Sequence, residues 1–94
     1  MTTVTIENNE LIISGDLLFA FVPAVLKECQ SLLPKQTTWV INLSNINNSD
    51  SSGLAFLLAM MRYAKKSNHS IGFKQIPEQL IALAKIAGVS EFIG

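Results

Sequence analysis

The stretch from Thr38 to Lys66 constrains this chain more than any other. Its first part, TWVINL over Thr38–Leu43, is β-branched and aromatic, which reads as a buried strand. A polar loop, SNINNSDSS, follows, and from Gly53 a strongly apolar helix is expected to run to about Lys66. That helix closes on Arg62, Lys65 and Lys66, cations that suit the negative end of a helix dipole. A buried strand feeding an apolar helix belongs in an α/β layer, because the helix must return onto the sheet to hide its apolar side.

The flanking segments extend the same plan. Thr3–Glu7 alternates β-branched and polar residues, Glu10–Ser14 is a short apolar run ending at Gly15, and Asn8-Asn9 between them suits a tight turn, so a β-hairpin is expected. Val22, Val25, Leu26, Cys29, Leu32 and Leu33 recur at three- and four-residue spacing, the signature of an amphipathic helix. Pro23 fits the first turn of that helix and Pro34 marks its end. Ser70–Lys74 is a further short strand. Pro77 and Glu78 open a last helix with Leu80, Leu83, Ala84 and Ala87 on one face and Gly88 as its C-terminal cap. The order is ββαβαβα: a small, mixed, mostly parallel four-stranded sheet packed by three helices, of α/β class. The chain is 94 residues long and shows no repeat or linker, so residues 1–94 are expected to form a single domain.

Composition excludes several functions. Seven basic and seven acidic side chains give a formal net charge of zero, which removes the electrostatic footprint of a nucleic-acid binder. One cysteine, Cys29, rules out an internal disulfide, and with one histidine, His69, no Cys/His metal cluster is expected. Cys29 falls on the apolar stripe of the first helix, His69 in a polar turn, and Trp39 on the buried strand, so the three read as a core thiol, a solvated loop residue and a packing residue. Asp16 and Asp50 have no spacing that pairs them and no accompanying base, so catalysis is not expected, and neither is a cofactor. No basic N-terminal segment precedes an apolar run, and the longest apolar run, Leu54–Met61, falls far short of a bilayer span, so a cytoplasmic location is expected. Hydrophobic residues make up 49% of the chain and charged ones 15%. A chain this apolar with no net charge is expected to have part of its surface covered by another protein.

Two features could mark that surface. Asp50, Ser51, Ser52 and Gly53 open the second helix, where their side chains can cap free N–H groups; the same N–H groups and the positive dipole end could instead hold an anion, including a phosphate on serine. The helix also carries two apolar stripes: Leu54, Leu57, Leu58 and Met61 form one, and Phe56, Met60 and Tyr63 another. If the second stripe faces solvent, its methionine and aromatics provide adaptable docking contacts.

ISGDL at Ile13–Leu17, WVINL, DSSGLAFLL and the closing IPEQLIALAKIAGVSEFI together resemble a STAS domain, the fold of the anti-sigma factor antagonists. The resemblance spans nearly the whole chain. It implies a STAS fold and a non-enzymatic role in protein–protein contact. In the antagonists the serine before the glycine, here Ser52, is phosphorylated by a partner kinase. The chain's shortness, the Ala-Lys-Lys ending of the second helix and Leu83–Lys85 look more like the MlaB-like subunit of Mla phospholipid-transport ABC systems. There a Thr at the position of Ser51 contributes to binding the ATPase. The resemblance thus implies an ABC ATPase partner with its permease, or alternatively an anti-sigma factor kinase. Membrane contact would be only indirect, through a complex at the inner membrane. The implied contact residues are Asp50, Ser51 and Ser52, with Phe56, Met60 and Tyr63 as apolar anchors. Leu18 departs from the Asp that many STAS domains carry, so the surface near the first helix is expected to be more apolar than in the antagonists.

Overall fold

A computed structural model describes residues 2–93 of the chain, and the side chains of residues 2–91. Strand β1 (Thr3–Glu7) turns into β2 (Glu10–Leu17), followed by helix α1 (Val22–Leu32), a 3-10 turn (Leu33–Lys35), β3 (Trp39–Ser49), α2 (Ser51–Lys66), β4 (Ile71–Lys74), α3 (Glu78–Ile86) and a one-turn helix α4 (Ser90–Ile93). The sheet order is β1-β2-β3-β4, with β1 antiparallel to β2 and the other two pairings parallel. This is the expected mixed, mostly parallel sheet; α4 adds a turn that the apolar pattern did not indicate.

Local chemistry accounts for the elements. Asn8 and Asn9 both take positive φ, 52° and 64°, which a tight hairpin turn requires and asparagine tolerates. Pro23 lies in the first turn of α1, as expected. At the end of α3, Gly88 has φ 76°, its N–H reaches the Lys85 carbonyl (3.1 Å) and the Val89 N–H reaches that of Ala84 (2.8 Å). That left-handed residue and the paired bonds form a Schellman cap.

The expected polar loop after β3 is corrected by the structure. Ser44–Ser49 continues the strand, so that β3 reaches eleven residues. It pairs with Ser14–Leu17 after register shifts between Ile12 and Ser14 and between Gly15 and Asp16. Asn45 donates to the Ser14 hydroxyl (3.3 Å) and Asn48 to the Asp16 carboxylate (3.0 Å). Backbone pairing and these side-chain bonds hold a stretch whose own side chains are mostly exposed, which is why it carries no apolar alternation.

Burial alternates along the central strands. Leu11, Ile13 and Leu17 of β2 and Trp39, Ile41 and Leu43 of β3 are buried with Val25 and Cys29 of α1, Phe56, Leu57 and Met60 of α2, and Leu80 and Ala84 of α3. Their intervening neighbours Glu10, Ile12, Ser14, Val40 and Asn42 are half-exposed. On that outer face Glu10 accepts from Asn42 (3.2 Å) and pairs with Lys74 across three strands. These two partners, Lys74 first, hold the Glu10 carboxyl below its ordinary value.

Candidate functional site

The start of α2 is organised by one carboxylate. Asp50 is the N-cap, with extended backbone (φ −132°, ψ −169°), and its Oδ1 accepts from the Ser52 N–H at 2.8 Å. Its Oδ2 accepts from the Phe19 N–H at 3.1 Å, in the segment between β2 and α1. One side chain therefore caps the helix and pins a neighbouring connection to it. These bonds hold the Asp50 carboxyl below the usual carboxylate range, the Phe19 N–H being the largest cause and the Ser52 and Gly53 groups adding to it. The chain's own carboxylate thus takes one of the first-turn N–H donors that an external anion would otherwise use.

The same arrangement sets what faces outward. Ser51 is exposed, Ser52 half-buried, and the Phe19 side chain stands 78% exposed beside this helix start. Gly53 is buried because the helix comes in very close there. A Cβ at that position would lie 3.0 Å from a methyl of Leu80 and 3.4 Å from one of Leu17, so α2 meets α3 and the end of β2 with no room for a side chain. Ser49 and Gln79 share a 3.3 Å hydrogen bond across the same junction.

The expectation for the second apolar stripe of α2 is overturned at two positions. Phe56 is 1% and Met60 0% exposed, so both are core residues and neither is a surface anchor. Leu58 and Met61, from the stripe expected inside, are half-exposed instead, next to the exposed Ala55 and Arg62. The reason lies in the neighbours: α2 packs against α1 on one side and α3 on the other as well as on the sheet, so more than one stripe is buried. Tyr63 is half-buried; its hydroxyl donates to the Gln30 carbonyl (2.9 Å) and its ring stacks on Trp39, with centroids 5.6 Å apart.

His69, expected as a solvated loop residue, is exposed but lies flat on Trp39, with centroids 4.2 Å apart and an interplanar angle of 5°. Trp39 is buried as a packing residue, and its Nε1 has no hydrogen-bond partner among the described residues. Cys29 is fully buried, and burial pushes its thiol up to about 12, with Glu28 adding to the effect. Among the described residues no three His, Cys, Asp or Glu side chains converge as metal ligands, and no helix is long and apolar enough to cross a membrane. Phe19 is, with Ile6 and Ile86, one of the large exposed apolar residues that the residue pattern did not single out, and of these it is the one bonded to the start of α2. The apolar run LLFAF, with Leu18 in place of an acid, was the available signal, since it announces an apolar surface near α1 without saying which ring is outside.

A family model described as "Mlab, STAS domain" matches residues 2–94. The intermembrane phospholipid transport system binding protein MlaB of Haemophilus influenzae is 36% identical over 52 residues, 55% of this chain and 50% of that protein. The match thus spans about half the length of that relative. Among solved structures, the unphosphorylated anti-sigma factor antagonist SpoIIAA superposes with a TM-score of 0.72 over 100% of this chain and 86% of its own, at 15% identity. A sulfate transporter family protein from Wolinella succinogenes gives 0.69 over 96% of this chain and 75% of its own, at 14% identity. At such identities the two structures speak for the fold alone.

Proposed function

The chain belongs to the STAS family, in the group described by the MlaB model, and on that premise we propose that it is a non-enzymatic docking subunit of a phospholipid-transport ABC complex. Its partner is the complex's cytoplasmic ATPase, which carries the permease with it, and the chain sits at the inner membrane only through that assembly. The observation that carries this reading is the exposed Phe19, tied by its own N–H to the carboxylate that caps α2, beside the exposed Ser51. A large exposed apolar ring, on a backbone pinned to the helix start that also presents Ser51, is a contact whose backbone is preorganised, since less main-chain freedom remains to be lost on binding. Ser51 and Ser52 supply polar contacts at the rim and Asp50 keeps the two segments in register. The half-exposed Leu58 and Met61 continue the apolar surface along α2. Docking favours the ATPase arrangement for which this surface has the higher affinity, the only way a bound subunit shifts such an equilibrium. The relative named for an intermembrane phospholipid transport system supports the choice of complex.

Affinity capture from the native host tests it. Recovery of an ABC ATPase with its permease is the expected result. Recovery of a kinase-like anti-sigma factor instead, with capture lost in Ser52→Asp, would replace this reading by that of a phosphorylation-switched antagonist; recovery of neither would sink both.

A further inference from the structure

At the far end of α2 from Ser51, about 16 Å along the helix at 1.5 Å per residue, a groove of about 310 Å³ lies between α1 and α2, lined by Leu26, Gln30, Ala59, Arg62, Tyr63 and Lys66. Its floor is fixed: Tyr63 is tied to the Gln30 carbonyl by its hydroxyl and stacked on the buried Trp39. Its rim is cationic. The ion pair among the described residues is that of Lys74 with Glu10, on the outer face of the sheet, so Arg62 and Lys66 have no acidic partner among those residues. Charge is also unevenly distributed. The segments Val22–Lys35 and Arg62–Lys66 hold five of the seven basic residues and one of the seven acids, Glu28, although the whole chain is neutral. A local excess of this kind raises the concentration of anionic groups at the groove.

We infer that this groove binds an acidic peptide segment of a partner protein, one carboxylate side chain bridging Arg62 and Lys66 while an adjacent apolar side chain rests on Leu26, Ala59 and the Tyr63 ring. A guanidinium with a second cation one helical turn away matches the two oxygens of a carboxylate. The volume also favours a peptide. It sits at the lower end of the range for small-ligand sites, about 300–1,000 Å³, which suits one or two side chains. The groove's lining includes neither Phe19 nor Ser51, so its test does not depend on those two contacts of the docking proposed above.

The test uses the full chain. A displayed library of random peptides is selected on the wild-type protein, and the enriched peptides are measured against the Arg62→Glu/Lys66→Glu variant and against Arg62→Gln/Lys66→Gln, which covers any folding defect of the first. Amide chemical shifts report where the peptides bind. Enriched peptides with Asp or Glu beside an apolar residue, shifts at Leu26, Gln30 and Ala59, and at least tenfold weaker binding by both variants are expected. No enrichment, or enriched peptides that bind the variants equally well, would overturn the inference. So would phosphatidylglycerol vesicles binding through Arg62 and Lys66 with no peptide enriched, since the cations would then serve a lipid surface.

Discussion

Truncating Phe56 to alanine separates a core role from a docking role on α2. The ring is 1% exposed, closed in by the sheet and by neighbouring helices. Removing such a ring loses its transfer free energy and leaves a cavity that the neighbours fill only partly, a cost of about 3–5 kcal/mol; Met60→Ala, also fully buried, costs about 2–5. A chain of this length has a total stability of about 5–14 kcal/mol, so either change removes a large share of it. At about 4–8 °C per kcal/mol for a domain this small, Phe56→Ala lowers the thermal midpoint by at least about 12 °C. Urea unfolding followed by Trp39 fluorescence is the assay, because the chain has one tryptophan and it is buried. Leu58→Ala, at a half-exposed position on the same helix, is the control and costs about 1 kcal/mol or less. A loss below about 1 kcal/mol for Phe56→Ala, together with loss of partner binding, would refute the placement of this ring in the core.

Three further outcomes follow from single residues. Gly88→Ala costs about 1–2 kcal/mol, since φ is positive and a Cβ there touches nothing, whereas Gly88→Asn costs less; chemical denaturation separates the two. The Cys29 thiol stays unreactive toward a disulfide reagent in the folded protein and reacts at the rate of unfolding. Because its value in the fold is raised to about 12, stability is intact below the value of a free thiol, about 8.5, and falls as pH rises from there toward the raised value; in Cys29→Ala this alkaline slope is shallower. For Asp50 the direction is opposite. Its carboxyl is held low in the fold, so its contribution is present above the ordinary carboxylate value and is lost as pH falls through the lowered one. Acid titration of the thermal midpoint shows a smaller drop in Asp50→Asn than in the wild type.

Much of the fold could be read from local chemistry, because the deciding interactions are local. Asn8-Asn9, Pro23 and Gly88 each specify a backbone conformation within their own few residues, and each occurs where the pattern places it. The second half of β3 could not be read this way. Its strand character comes from pairing with Ser14–Leu17, a partner about 30 positions away, and most of its side chains face water and so show no apolar rhythm. The two stripes of α2 show the complementary difficulty. Helical spacing reveals that both Phe56 and Leu58 are apolar, but which one is inside depends on how α1 and α3 flank the helix. The backbone of Phe19 is held against the helix start by Asp50, a bond that no spacing rule anticipates.

The Phe19–Ser51 surface is the contact we propose for the transporter ATPase. The most direct measurement is the dissociation constant of the purified chain for that ATPase, for the wild type, Phe19→Ser and Ser51→Arg, each with its thermal midpoint. The prediction is at least a tenfold loss of affinity in Phe19→Ser and no detectable binding in Ser51→Arg, with midpoints within a few degrees of the wild type, since both side chains are exposed. Unchanged affinity in both variants would contradict it, as would loss of affinity only in step with loss of folding.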